Sequence, residues 1–193
     1  MQNLDRRAVL LGAAAVVGAV ATPLVTAPRA NAAPEPSSQD LALLRQTFAL
    51  AEQARQRGGA PYGALVADAN GTVVAAHGNT SEIDGGDPTD HAETMTVRDA
   101  WRVLGNDGMN QATLYASTEP CSMCAGAAYW TGVGRVVYGM SNRRLFDFTG
   151  DDPNHASFAL PCREILTNGF RPVTVIGPLL EDEAAQAHQG YWH

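Results

Sequence analysis

Between residues 41 and 57 the apolar positions Leu41, Leu44, Phe48, Ala51 and Ala54 recur every three or four residues, the period of a helix with one buried face. Gly58-Gly59 stops that pattern. Residues 62–67 and 72–77 then form two short apolar stretches joined by Asp68-Ala69-Asn70-Gly71, and Asn-Gly favours a tight hairpin turn. Past a turn-rich stretch at 79–88, Pro88-Thr89 opens a second predicted helix that runs to about Leu104. Residues 111–117 predict a third strand, 121–130 a third helix and 135–139 a fourth strand. The polar stretch 141–157 predicts no element, 162–167 a helix, 172–176 a fifth strand and 179–190 a last helix. No internal repeat is present.

The resulting order is α-β-β-α-β-α-β-α-β-α. The connection from Gly139 to Pro172 holds a helix and is long enough for a crossover, so the last two strands can run parallel. The expected fold class is α/β, a three-layer α/β/α sandwich around a five-stranded mixed sheet.

The N-terminus follows a different pattern. Asp5-Arg6-Arg7 leads into an unbroken run of small and aliphatic residues from 8 to 21, and a breaker-rich stretch ends in Ala30-Asn31-Ala32. A charged start, an apolar middle and an A-x-A end are the three parts of a cleavable export signal. The adjacent arginines point to the twin-arginine type. The apolar run is shorter than the roughly 20 residues a membrane-spanning helix needs, so a permanent anchor is not expected. The expected organisation is an export signal at 1–32, a linker at 33–39 and one domain at 40–193, placing the mature protein in the periplasm or outside the cell.

Charge narrows the partners. The net charge is −7, and all 13 basic residues are Arg. Cleavage at Ala32 would remove Arg6, Arg7 and Arg29 but only one acid, Asp5, so the mature chain is more acidic still. Such a chain has little means of neutralising phosphates, which disfavours nucleic acid and favours a small neutral substrate. Three cysteines cannot form a full disulfide framework, but Cys121-x-x-Cys124 could be a disulfide or a redox pair in an oxidising compartment.

The residues around that pair carry another chemistry. Cys121 and Cys124 stand one helical turn apart at the start of a predicted helix, on one face, where free N–H groups favour thiolates. His91 lies at the start of another predicted helix, separated from Cys121 by a helix, a loop and a strand, so the chain can return to the same sheet edge. Three protein ligands leave a fourth tetrahedral position for water, the mark of a catalytic zinc. Two thiolates make the metal less electron-poor, so the water needs a nearby base, and Glu93 is placed to take its proton. Taken singly, His91 is as well explained as a capping or core histidine and Glu93 as a first-turn acid.

Together, His91-Ala92-Glu93 and Pro120-Cys121-Ser122-Met123-Cys124 match the H-x-E…P-C-x-x-C signature of zinc nucleobase deaminases. The chain resembles the cytidine/deoxycytidylate deaminase superfamily over about residues 40–140. Pro61-Tyr62-Gly63-Ala64-Leu65, Asn79, Asp87-Pro88-Thr89, Leu114-Tyr115-Ala116-Ser117 and Ala127-Ala128-Tyr129-Trp130 resemble its guanine deaminase and tRNA adenosine deaminase branch. The resemblance implies one Zn2+ per chain on His91, Cys121 and Cys124, Glu93 as the proton shuttle, and base contacts from Asn79 with pocket backbone from Gly63 and Ala64. It places Trp130 beside the substrate and implies a homodimer. Asp90, where relatives commonly carry Ala, and Thr118, where they commonly carry Cys, depart from the pattern. After Gly139 the match fades, and Phe146, Asp147, Asp151 and Asp152 resemble only loosely the far pocket wall of guanine deaminases.

The expected activity is hydrolytic deamination of a purine base or nucleoside, guanine first, with cytosine or a related aminated heterocycle second. Acidity, the lack of Lys and export all disfavour a tRNA substrate. A thiol–disulfide oxidoreductase and a binding protein with a structural zinc are the competing classes. The remaining histidines, His77, His155, His188 and His193, are expected at structural or surface positions, and Cys162 as a small buried hydrophobe. Trp192, near the terminus, could close over a pocket, although tails are usually mobile.

Overall fold

A computed structural model describes residues 34–83, 85–150 and 158–192. The signal assignment, Asp151, Asp152, His155 and His193 lie outside these residues. Helix α1 (Ser38–Gln56) is followed by β1 (Gly63–Ala67), β2 (Val73–Gly78), α2 (Ala92–Gln111), β3 (Thr113–Thr118), α3 (Ser122–Trp130) and β4 (Arg135–Met140). Then come α4 (Asn142–Thr149), α5 (Cys162–Thr167), β5 (Thr174–Ile176), α6 (Glu181–Ala184) and a 3-10 turn, Ala185–His188. The five strands form one sheet in the order β2-β1-β3-β4-β5. β1 is antiparallel to both neighbours, and β3, β4 and β5 run parallel, as the long crossover requires.

Alternation along the strands creates two cores. Ala64, Val66, Leu114, Ala116, Val136 and Tyr138 face a cluster completed from α2 by Val97 and Ala100, from α3 by Ala125 and Ala128, and from α5 by Cys162 and Leu166. Their neighbours Leu65, Ala67, Tyr115 and Val137 point the other way, onto Leu43 and Leu44 of α1. The sheet is thus covered on both faces, and the three-layer sandwich is the fold observed.

Local chemistry sets the boundaries. Asp68 Oδ1 accepts from the N–H groups of Asn70 (2.9 Å) and Thr72 (2.8 Å), and Gly71 takes φ 81°, which closes the hairpin at Asn-Gly. Gly63 has a packing reason: a Cβ there would run into Thr47 O and come within 2.6 Å of Ala51 N, so its absence lets α1 lie against β1. Three elements differ from the sequence pattern: the polar stretch after β4, expected to hold no element, forms α4, and two helices have other bounds than expected. Helix α2 starts at Ala92 rather than at Pro88-Thr89, because Asp87 Oδ1 accepts from Thr89 N (2.8 Å) and Oγ1 (2.7 Å) and holds that segment in a turn. The predicted last helix is only α6 and the 3-10 turn.

One buried ionic network ties the layers together. Asp40 closes a capping box with Ser37 at the start of α1, receives a two-pronged bond from Arg135 (2.6 and 2.8 Å) and accepts from Tyr115 Oη (2.6 Å). The Arg135 guanidinium, foremost, holds the Asp40 carboxyl far below the usual carboxylate range. A group whose pKa is depressed by folding stabilises above its unfolded value, about 3.9, and loses that contribution as pH falls towards the folded value. Asp40→Asn is expected to cost about 3 kcal/mol near neutral pH, because it leaves Arg135 without its buried partner. Urea unfolding near pH 7 and near pH 3 checks it: the variant should lose less stability on acidification than the parent.

Candidate active site

The topology collects one end of the sheet. Since β1 runs against its neighbours, its first residues meet the last residues of β2 and β3, with Gly63 opposite Gly78 and Ala64 opposite Ala116. Tyr62, Asn79, the 119–121 turn and the start of α4 after β4 therefore share one edge, the carboxyl end of the parallel strands. A cavity of about 610 Å³ opens there.

Two helix N-termini meet at its floor. His91 is the N-cap of α2 and Cys121 the N-cap of α3, both with extended backbone and neither with a side-chain cap bond. Their side chains are left to face each other. His91 Nδ1 lies 3.7 Å from Cys121 Sγ and 3.5 Å from Cys124 Sγ, and the three ligand atoms fall within 4.8 Å of one another. Around one tetrahedral zinc, bond lengths near 2.3 Å to sulfur and 2.05 Å to nitrogen put S and N about 3.6 Å apart. The donor set and its spacing therefore fit Zn2+, and the Thr94 hydroxyl, 3.4 Å from Cys124 Sγ, supports the second sulfur.

Glu93 lies on the same turn, buried at 6% exposure, with Oε2 3.6 Å from Cys124 Sγ. Burial above all, then the negative charge of Cys121, pushes its carboxyl up to about 7. The two thiols share their protons unequally. A hydrogen bond from Cys124, with His91 close by, draws the Cys121 thiol down, while the same partnership and burial push Cys124 up. The site thus gathers two thiols drawn in opposite directions, an imidazole and a carboxyl of raised pKa on one cavity floor.

The remaining predicted residues fall elsewhere. Asn79 is buried at 1% exposure and does not line the cavity; its amide nitrogen donates to Ser81 Oγ (2.9 Å) and Glu82 Oε2 (2.6 Å). Gly63 donates its N–H to Ser117 Oγ (3.0 Å) and the Ala64 side chain sits in the core; neither is among the residues that line the cavity. Trp130 ends α3 at 85% exposure, edge-on to Tyr129 and outside the cavity lining. Asp90 lies 3.8 Å from Arg98, and Phe146 and Asp147 are also outside the lining.

Other residues build the walls instead. Tyr62, Glu82, Glu119, Tyr191 and Trp192 all line the cavity. Glu119 braces the loop that carries Cys121: its two oxygens accept from Asn142 N (3.0 Å) and Cys162 N (2.9 Å). The tail is held by His188, at 1% exposure, whose Nδ1 accepts from the Trp192 indole N–H at 3.1 Å while its ring stacks on Trp192. Burial holds His188 down at about 4, so it is the neutral ring this bond requires. The aromatic pair Tyr191-Trp192 was a visible signal for a wall; Glu82 belongs to no motif.

Comparison with known proteins agrees with this geometry. Residues 37–140 match the sequence profile of the cytidine and deoxycytidylate deaminase zinc-binding region. The chain is 38% identical over 158 residues to a probable cytosine deaminase of Schizosaccharomyces pombe, covering 82% of this chain and 95% of the relative. It is 36% identical over 94 residues to a guanine deaminase of Bacillus subtilis, covering 49% of this chain and 59% of the relative. The solved guanine deaminase of Nitrosomonas europaea shares the fold, with a TM-score of 0.65, 23% identity, and coverage of 83% of this chain and 88% of that one.

Proposed function

The chain belongs to the cytidine and deoxycytidylate deaminase family, and from that premise we propose that it is a zinc-dependent deaminase of a small nucleobase or nucleoside, guanine first. Members of the family are hydrolases that remove an amino group from a C–N bond. The observation that carries the zinc reading is the convergence of His91, Cys121 and Cys124 within 4.8 Å beside the buried Glu93. When bound, zinc supplies a Lewis acid that lowers the pKa of a water molecule.

The chain's own residues do the rest. His91, Cys121 and Cys124 hold the ion, one per chain. Glu93 takes one proton from the attacking water as its oxygen bonds to the amidine carbon and gives it to the ring nitrogen, then carries the remaining proton of that oxygen to the amine as the C=O bond forms. The C–N bond then breaks and ammonia leaves. A carboxyl with pKa near 7 can both accept and donate near neutral pH. The Tyr62 and Trp192 rings, 6.2 Å apart between centroids, provide flat walls suited to a heterocycle.

Guanine comes first on the motif resemblances and on the Bacillus subtilis relative. Cytosine is the second reading, favoured by the Schizosaccharomyces pombe relative, which matches along most of this chain. A screen of purified, zinc-loaded protein for ammonia release from free nucleobases and nucleosides tests both. Guanine is expected to give the highest kcat/KM; turnover of cytosine alone would install the second reading, and no turnover of any base or nucleoside would end the proposal.

Two further parts of the reading are proposals. Export rests on Arg6-Arg7, the apolar run and Ala30-Asn31-Ala32. Folding and zinc loading before twin-arginine transport would protect Cys121 and Cys124 from pairing. A homodimer through the metal-binding helices rests on family resemblance, and the exposed Trp130 at the end of α3 fits such an interface. Among the described residues no helix is long and apolar enough to cross a membrane.

A further inference from the structure

After the 3-10 turn the chain folds back on itself. Residues 188–191 form a type II turn: Tyr191 N donates to His188 O at 3.3 Å, Gln189 is extended (φ −65°, ψ 123°) and Gly190 takes φ 66°, which a side chain would resist. The turn lays the Trp192 indole over the His188 ring, with centroids 5.9 Å apart and planes 20° from parallel. No helix or strand follows His188 among the described residues, so the place of Trp192 rests on side-chain contacts.

His188 is the fixed point of this hook. It is buried at 1% exposure, with the Tyr62 ring 5.4 Å and the Phe148 ring 5.9 Å away between centroids. An indole nitrogen can only donate, so the 3.1 Å bond from Trp192 Nε1 makes His188 Nδ1 an acceptor and puts the ring hydrogen on Nε2, which faces Thr118 Oγ1 at 3.5 Å. The acids of α6 are engaged elsewhere: Glu181 accepts from Ser141, Asp182 pairs with Arg144 and Glu183 with Arg45. Burial holds the imidazole down at about 4, which keeps the ring neutral near pH 7. Tyr62 and Trp192 both line the cavity, whereas His188 stands behind them and does not. Two wall rings thus share one buried partner.

We propose that His188 is a positioning residue for the substrate: its unprotonated Nδ1 hooks the Trp192 indole into the cavity wall, and that hold sets how tightly an aromatic heterocycle binds. A wall ring fixed before the substrate arrives lowers the ordering cost of stacking on it. Without the acceptor, the substrate itself must order the ring, and affinity falls. The chemistry stays, because Glu93 and the three metal-binding side chains stand on the first turns of α2 and α3, away from the tail. This inference rests on the deaminase reading above and adds to it a residue that touches neither metal nor substrate.

Two half-replacements of the imidazole test it. His188→Phe keeps a flat ring and removes the acceptor; His188→Asn removes the ring and keeps an acceptor, since its amide oxygen stands one bond from Cγ, as Nδ1 does. With guanine, or cytosine if that is the base turned over, His188→Phe raises KM about threefold to tenfold, the size of one neutral hydrogen bond, and changes kcat by less than about twofold. His188→Asn recovers most of that loss. In a Trp192→Phe background, where the donor is gone, His188→Phe costs nothing more. Zinc content and Tm are recorded for every variant. Calorimetry of the same base on zinc-loaded Glu93→Gln, with and without His188→Phe, reads the factor without turnover. The Trp192 share of the emission, taken as parent minus Trp192→Phe, becomes more open to acrylamide in His188→Phe than in His188→Asn. An unchanged KM in His188→Phe, an Asn variant no better than the Phe variant, or equal losses in both Trp192 backgrounds overturns the inference and leaves the deaminase reading intact. Should His188→Phe not fold, Trp192→Phe carries the test: a raised KM with kcat kept supports the hook, and parent affinity overturns it. If the parent deaminates neither base, yet guanine binding and the exposure of Trp192 depend on His188, the deaminase reading falls and the His188 assignment stands.

Discussion

Glu93→Gln is expected to lower turnover by roughly a hundredfold to ten-thousandfold, the range for loss of a positioned acid–base group, while zinc content stays at one per chain. The substitution keeps the shape of the side chain and removes only its ability to carry a proton. Glu93 is buried beside Cys124 Sγ at 3.6 Å, close to the ligands but outside the group that converges on the metal. Its replacement by a neutral amide removes a buried ionisable group, so the fold should be no less stable. Ammonia release against zinc content, on one preparation, decides it. A variant that keeps normal turnover would remove Glu93 from the chemistry; one that loses zinc as well would make it a ligand.

Removing the metal is expected to be the larger structural event. Cys124 is fully buried where α3 packs on α2, and Cys121 and His91 cap the same two helices, so an ion held by the three would join two helix N-termini. Free zinc a thousandfold above its dissociation constant stabilises by about 4 kcal/mol. At about 2–4 °C per kcal/mol, chelation should lower Tm by roughly 8–16 °C and abolish ammonia release. Cys124→Ser should reproduce both effects without chelator, and excess zinc should restore the chelated protein but not the variant. Full zinc occupancy in Cys124→Ser would contradict the ligand assignment.

The parts of the site that could be read in advance are those whose chemistry fixes their spacing. Two thiols one helical turn apart and a histidine two residues before an acid constrain one another through the metal, and the structure brings His91, Cys121 and Cys124 together. The sheet was equally legible, because alternation such as Leu65 against Val66 reports two cores directly. The short polar helix α4 was not: Asn142-Arg143-Arg144 opens it, and only Leu145 is buried. It forms because Ser141 Oγ caps Arg144 N (3.2 Å) and Glu119 accepts from Asn142 N (3.0 Å), partners that local pattern does not show. Gly63 carried a pocket role by resemblance, but its closest neighbours are Thr47, Leu50 and Ala51 of α1, so its lack of a side chain serves packing. Glu82 was invisible because its place depends on Asn79 and on Ala60, 22 residues earlier.

X-ray absorption at the zinc edge of the purified protein tests the shared premise most directly. Two sulfurs at about 2.3 Å with one nitrogen and one further light atom near 2.0–2.1 Å, and one zinc per chain, are the result predicted. A shell without sulfur, or a metal-free protein with Cys121 and Cys124 joined in a disulfide, would contradict it.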